Sequence, residues 1–138
     1  MIKIEIDGLE ELLKELETRS AETRERVSEA VEASMYRIQR RMRHKIRQRG
    51  SGRIYEKYQP RRTHQASSPG EPPATDEGAL AASIYTEPYG LHAYVGVRQK
   101  YAHYLEFGTK NMDARPFVVP SLEEDAEQFV KDIKEAMK

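Results

Sequence analysis

The chain has 138 residues, the usual size of one folding domain, and its 23 basic residues balance 23 acidic ones. It has no cysteine, which excludes a disulfide scaffold, a thiolate metal site and a cysteine nucleophile. No apolar run approaches the roughly 20 residues that a membrane-spanning helix needs, and the first residues do not form a signal-peptide pattern. We therefore expect one domain over residues 1–138 that is neither secreted nor membrane-bound.

The first fifty residues predict a short strand followed by a long amphipathic helix. Isoleucines alternate with charged residues over residues 2–6, as in a strand with one apolar face, and Asp7 can cap the helix that follows. A straight helix over residues 9–49 would be about 60 Å long. We expect either a break near residues 20–23 or a helix that projects from the body and packs on a neighbouring subunit.

The balanced net charge hides a segregation along the chain. Residues 1–34 carry a net charge of −5, residues 35–65 carry +10, and residues 66–138 carry −5. Such a basic block indicates an anionic partner, which could be a nucleic acid or the acidic surface of another copy of the chain. A solvated arginine-rich helix without a ligand is the third interpretation.

Helical geometry divides the arginines of this block into two groups. At about 100° per residue, Arg40, Arg43 and Arg47 fall opposite the apolar stripe of the helix, and we expect them to face outward. Arg37 and Arg41 flank the stripe, where long stems can cover apolar surface. The candidate contacts for an anionic partner are Arg37, Arg40, Arg41, Arg43, Arg47, Arg53, Arg61 and Arg62.

Residues 49–77 show no periodicity and contain four prolines. Segments of this kind are usually functional or disordered, so we predict an extended, flexible basic loop. Tyr55 and Tyr58 lie between arginines and lysines, a composition that suits single-stranded nucleic acid. It equally suits a loop that becomes ordered only in an assembly, and we favour that interpretation.

The rest of the sequence predicts a small antiparallel sheet and two helices. Residues 84–88 and 92–98 form a hairpin pattern. A short helix over residues 99–107 ends at Gly108, and a last helix starts near Pro120. The predicted fold class is α+β: a small antiparallel sheet, a long N-terminal amphipathic helix, a short central helix, a C-terminal helix and an extended basic loop.

The sequence has no recognisable catalytic or phosphate-binding motif. Its four histidines share no metal-ligand spacing, and a surface or interface role suits them best. Glu106 stands between Leu105 and Phe107, where a carboxylate should be paired. We expect a structural ion pair there rather than acid–base catalysis, and we predict no enzymatic activity, cofactor, metal or small-molecule substrate.

Two stretches, residues 101–109 and 114–120, resemble the signature of the neck and tail-completion family of long-tailed bacteriophages. This family is typified by the gene-product-ten protein of HK-type lambdoid phages. The proline- and glycine-rich segment before residue 84 and the opening strand and helix are also similar, so the resemblance covers nearly the whole chain. The basic insert around residues 47–65 departs from it. The residues of the motif are Tyr101, Leu105, Glu106, Phe107, Gly108, Thr109, Arg115, Pro116 and Phe117.

The resemblance implies a non-enzymatic structural subunit at the head–tail junction of a virion or prophage-derived particle. Such a subunit forms a ring with copies of itself and contacts other neck, connector or tail-tube proteins, in the virion or in the host cytoplasm during assembly. A ring repeats one heterologous interface, and the segregated charges could supply its two patches. A ring around a DNA channel could also present arginines to phosphates.

Specific roles follow for the residues of the motif. Glu106 and Arg115 are expected to pair across the turn that ends at Gly108, and Tyr101 and Phe117 are expected to anchor the core or an interface. The alternative function is a nucleic-acid-binding module that uses the arginine-rich segment 37–62.

Overall fold

The computed structural model describes residues 9–58, 61–76 and 78–138. The strand predicted over residues 2–6 and the cap predicted at Asp7 lie outside this part. Helices and short antiparallel strands occur together, so the predicted α+β class is confirmed. The elements are α1 (Leu9–Glu17), α2 (Ala21–Arg47), β1 (Ile54–Tyr58), β2 (Arg61–Gln65), α3 (Ala79–Ala82), β3 (Ile84–Tyr89), β4 (His92–Val97), α4 (Ala102–Phe107) and α5 (Val118–Ala136).

The N-terminal helical segment breaks where one of the two alternatives placed the break. Helix α1 ends at Glu17, and Ser20 caps α2 by accepting a hydrogen bond from the backbone N–H of Thr23 at 3.2 Å. Helix α2 then continues without interruption for 27 residues, a length of about 40 Å. It is the long element against which α3, α5 and the β3–β4 hairpin pack.

Two apolar clusters lie along α2. Met42 and Ile46 of its C-terminal half pack with Ile84 and the fully buried Phe117, whereas Val27 of its N-terminal half packs with residues of α1 and α5. Each cluster is small, so much of the apolar surface remains exposed. The buried members are Met42, Ile46, Leu80, Ala81, Ile84, Ala102, Phe117 and Val118 in the first cluster, and Leu16, Val27, Val31, Ile133 and Met137 in the second.

The predicted hairpin is present as strands β3 and β4. They pair antiparallel from Ile84 opposite Val97 to Tyr89 opposite His92. Alternate side chains divide between its two faces. Val95 and Val97 pack against the first cluster, while Tyr89, His92 and Tyr94 are exposed.

The segment over residues 49–77 is not irregular throughout, because strands β1 and β2 form a second antiparallel hairpin in it. Every side chain of β1 is exposed, which explains why no apolar periodicity predicts the strand. Backbone packing holds the base of the hairpin: Gly52 donates to the Ala66 carbonyl at 2.7 Å, and a Cβ at Gly50 would lie 2.2 Å from the same oxygen.

Helices α4 and α5 are shifted relative to the prediction. Helix α4 begins at Ala102 rather than residue 99, and α5 begins at Val118, two residues before Pro120. The earlier start of α5 has a structural cause, since a carboxylate from α4 caps its first turn.

Candidate functional site

The turn between α4 and α5 carries most of the motif, and we call residues 101–120 the motif turn. At its centre, the Glu106 side chain is only 3% exposed. Its Oε2 accepts hydrogen bonds from the backbone N–H groups of Phe117 at 2.8 Å and Val118 at 2.9 Å, and its Oε1 accepts one from Val119 at 2.7 Å. The first N–H groups of a helix have no partner within the helix and favour negative charge. Glu106 therefore caps α5 from a different helix.

The predicted ion pair between Glu106 and Arg115 is wrong. Neither residue appears in an ion pair within the described part of the chain, because the carboxylate oxygens of Glu106 accept three backbone N–H groups instead. Arg115 is fixed through its backbone, whose N–H donates to the Leu105 carbonyl at 2.6 Å. Its charge contributes to lowering the pKa of Glu71, after the larger effect of hydrogen bonds from Ser51 and Ser68.

Gly108 ends α4, as the sequence predicts, and its φ is positive at 75°. A Cβ there would lie 2.8 Å from the carbonyl oxygen of Met112 and 2.9 Å from the nitrogen of Ala114. Thr109 follows in an exposed bridge, with its N–H 2.7 Å from the same Met112 oxygen. The tight return of the chain at this point requires glycine both for its backbone conformation and for the close approach.

The motif turn has an inner and an outer side. Phe117 is completely buried and is a core anchor, with Pro116 half-buried beside it. On the outer side of α4, Tyr101, Tyr104 and Phe107 are 44%, 55% and 53% exposed. The exposed His103 ring lies between the last two, with its centroid 5.0 Å from that of Phe107 and 6.0 Å from that of Tyr104. We call Tyr101, His103, Tyr104 and Phe107 the aromatic face.

Two of the candidate arginines on α2 already have carboxylate partners in the same chain. Arg37 donates from Nε and a terminal nitrogen to Asp125, at 2.5 and 2.9 Å, and also pairs with Asp132 at 2.9 Å. The hydrogen bond to Asp125 is the main reason that the pKa of Arg37 is raised. Arg41 pairs with Asp125 at 3.3 Å and with Glu124 at 3.6 Å. Part of the acidic C-terminal segment thus neutralises the basic block within the molecule.

The sequence did not predict the role of Asp125, whose side chain is fully buried between α2 and α5. A weak signal was present, since Asp125 stands three residues after Leu122, beside the apolar stripe of the C-terminal helix. A carboxylate in that position needs a cation from the facing element. Arg37 and Arg41 flank the apolar stripe of α2, and they supply it.

The other side of α2 keeps its positive charge. Arg40 and Arg47 are exposed, and neither has a carboxylate within 4.0 Å in the part of the chain that the structure describes. Arg43 does not face fully outward, because it donates to the carbonyls of Ala81 at 3.3 Å and Ile84 at 3.0 Å. A groove of about 460 Å³ lies along this side, lined by Tyr36, Gln39, Arg40, Arg43, His44 and Arg47, and we call it the basic groove.

The β1–β2 hairpin is partly neutralised. Arg62 and Lys57 both pair with Asp76, whose pKa is held well below its ordinary value mainly by the hydrogen bond from Arg62 and then by that from Lys57. The guanidinium of Arg53 lies 5.2 Å from the centroid of the Tyr55 ring, a cation–π contact. Arg61 and Tyr58 are exposed at the far end of the hairpin, where Tyr58 is opposite Arg61 in the register.

Comparisons with models of protein families, with curated proteins and with solved structures found no match for the chain. Within the described ranges, no group of three or more histidine, aspartate or glutamate residues is arranged to hold a metal ion. None of the helices in these ranges is both long enough and apolar enough to cross a membrane. The two buried carboxylates described above, Glu106 and Asp125, are both engaged in structural contacts.

Proposed function

We propose that this protein is a non-enzymatic structural subunit of the head–tail junction of a phage or prophage-derived particle, and that it assembles into a ring with copies of itself. The resemblance of the motif turn to the neck and tail-completion family gives the functional class. The observation that carries the proposal is the aromatic face of α4, in which the large rings of Tyr101, Tyr104 and Phe107 are held in place by a capped turn and left in solvent.

The distribution of tyrosine supports an assembly role. Seven of the eight tyrosines are exposed, Tyr85 being the exception. Among the described residues, ten large hydrophobic side chains are exposed against fourteen hydrophobic side chains buried in the core. Aromatic residues are enriched in protein–protein interfaces, where each buries on the order of 150–250 Å². A chain with so small a core and so many exposed rings is suited to burying them against other subunits.

A ring requires a heterologous contact, in which one patch meets a different patch on the next copy. The aromatic face is one such patch. The outer side of the β3–β4 hairpin, with Tyr89 76% and Tyr94 55% exposed, is a second patch that is distinct from it. In the proposed ring, the first patch of one subunit packs on the second patch of its neighbour.

Replacing Tyr104 and Phe107 together by serine tests the interface, with Tyr58→Ser on the remote hairpin as the matched control. We expect light scattering and electron microscopy to show ring-sized oligomers for the wild type and the control, and their loss in the double variant. Equal assembly of all three proteins would contradict a role for the aromatic face.

The functional class has its own test in the particle. Deleting the coding sequence from the phage or prophage that carries it is expected to leave separate heads and tails in electron micrographs. Supplying the wild-type chain from a plasmid should restore joined particles, and supplying the Tyr104→Ser, Phe107→Ser chain should not. Normally joined particles after the deletion would refute the proposal.

A second candidate function, nucleic-acid binding, is favoured by the uncompensated charge of the basic groove. Filter binding over a salt series measures DNA binding. The logarithm of the association constant falls linearly with the logarithm of the salt concentration, with a slope of about −0.9 per phosphate neutralised on duplex DNA. Micromolar binding by a monomer that weakens in Arg40→Ala and Arg47→Ala, but not in the exposed control Lys134→Ala, would favour this function over the ring.

A further inference from the structure

The outer face of α2 carries a line of charged residues. The N-terminal half of the line is acidic, and the C-terminal half is basic and lines the basic groove. At about 100° per residue, the positions that share the direction of Tyr36 are all charged, acidic towards the N-terminus and basic towards the C-terminus. The buried residues Val27, Val31 and Met42 lie on the opposite side of the helix. We call this line the charged stripe, and it consists of Glu25, Glu29, Glu32, Tyr36, Arg40, Arg43 and Arg47.

The spacing of the charged stripe is the same in both directions from Tyr36, with the charges reversed. The first acidic and first basic residues are four positions away from Tyr36, the second are seven away, and the third are eleven away. At 1.5 Å per residue these offsets correspond to about 6, 10.5 and 16.5 Å along the axis. The equidistant pairs are Glu32 with Arg40, Glu29 with Arg43, and Glu25 with Arg47.

These charges have no ion-pair partner among the residues that the structure describes, although Arg43 donates hydrogen bonds to the carbonyls of Ala81 and Ile84. Glu25, Glu29, Arg40 and Arg47 are exposed, and none of the seven residues takes part in an ion pair within the described ranges. By contrast, Arg37 on the inner side of the same helix is paired with two carboxylates. Tyr36, at the centre of the stripe, is 44% exposed.

We propose that the charged stripe is a self-complementary interface on which a second copy of the chain packs its own α2 in antiparallel orientation, about a twofold axis through Tyr36. In such an isologous contact, residue i meets residue j and residue j meets residue i. Antiparallel alignment then forms three glutamate–arginine pairs, each twice. The two Tyr36 rings meet at the axis, and the basic groove receives the acidic half of the neighbouring helix.

The pattern favours this occupant over two others. A parallel second copy in register would place each arginine opposite its own equivalent, which is repulsive. A nucleic acid following the helix would meet the glutamates of the N-terminal half, which repel phosphates. The antiparallel copy alone satisfies both halves of the stripe. The interface is separate from the aromatic face and does not rest on the proposed function.

Reciprocal charge reversal tests the pairing. Arg40→Glu with Arg47→Glu makes the stripe wholly acidic except at Arg43, and Glu25→Arg with Glu32→Arg makes it basic except at Glu29. Each variant alone should self-associate on the order of tenfold more weakly or worse, since the 32–40 and 25–47 pairs, each formed twice, become repulsive. An equimolar mixture of the two should form heterodimers by light scattering. Unchanged self-association of either variant, or no association of the mixture, would overturn the proposal.

Single cysteines test the register, since the natural chain has none. Tyr36→Cys places two thiols at the axis and should form a disulfide-linked dimer under mild oxidation. Glu22→Cys is the matched control on the same face: it lies 14 residues from Tyr36, so its two copies would be about 42 Å apart in the antiparallel dimer. Equal cross-linking of both variants would indicate parallel packing, and no cross-linking of Tyr36→Cys would exclude the axis.

Two further outcomes separate this inference from the other functions. If the charged stripe binds a nucleic acid instead, the wild type will be monomeric. The Glu25→Arg, Glu32→Arg variant will then bind DNA more tightly than the wild type. If only the ring proposal is wrong, the Tyr104→Ser, Phe107→Ser variant will assemble like the wild type. The Tyr36→Cys variant will still form its disulfide-linked dimer. Loss of the cross-link with ring formation intact would overturn the inference alone.

Discussion

Glu106→Ala is the change that most directly tests the structural role of the motif turn. The variant removes the carboxylate that accepts the N–H groups of Phe117, Val118 and Val119. These N–H groups lie at the start of α5, where Phe117 and Val118 are buried in the first apolar cluster. We expect the variant to lose stability rather than any turnover.

The expected loss follows from the number and kind of bonds. A hydrogen bond to a charged group is worth about 1.5–3 kcal/mol, and loss of a helix cap costs about 0.5–2 kcal/mol. The three bonds share one carboxylate and are not additive. We therefore expect a total loss of about 3–4 kcal/mol, whereas Glu106→Gln, which keeps one acceptor oxygen but no charge, should lose about half as much.

Urea unfolding followed by circular dichroism measures this loss. With a slope of about 1–3 kcal/mol per molar urea, the Glu106→Ala midpoint should fall by at least about 1 M. Glu123→Ala changes an exposed glutamate on α5, the helix that Glu106 caps. This matched control should remain within about 0.5 kcal/mol of the wild type. A loss below about 1 kcal/mol in Glu106→Ala, or an equal loss in the control, would refute the capping role.

Three other changes test separate features. Asp125→Asn removes a buried charge between two half-exposed arginines of α2 and should cost about 2–3 kcal/mol by urea unfolding; an unchanged midpoint would contradict it. The pKa of Asp76 is lowered in the folded state, mainly by the hydrogen bond from Arg62. The ionised carboxylate therefore stabilises the folded state fully at pH values above the ordinary aspartate pKa, and this stabilisation is lost as the pH falls below that value. Amide-exchange protection of the β1–β2 hairpin should thus be retained from pH 7 to 5 and decrease below about pH 4, and Asp76→Asn should lose this dependence. Gly108→Ala should cost about 2 kcal/mol more than Gly78→Ala, since both have positive φ but only Gly108 lacks room for a Cβ; equal losses would contradict it.

Local sequence patterns predicted those elements whose signals are local. The β3–β4 hairpin follows from alternation and Gly108 from a position that ends a helix, and both signals act within a few residues. The break before α2 was one of two alternatives that the length of the helical segment left open, and the structure decided between them. The β1–β2 hairpin was not predicted, because its sequence lacks the alternation of apolar and polar residues that indicates a half-buried strand. Strand pairing there depends on backbone hydrogen bonds and on the packing of Gly50 against a residue 16 positions away.

The candidate site shows the same division. The charge blocks, the stripe on α2 and the identity of the motif residues are properties of the sequence alone, since residue order and helical geometry fix which side chains share a face. Only the tertiary structure decided which charges remain available. It brought Asp125 of α5 against Arg37 and Arg41, and it turned Glu106 towards the backbone of α5 instead of Arg115. Those choices depend on how distant elements pack, because a buried carboxylate takes whichever donors the fold brings within reach.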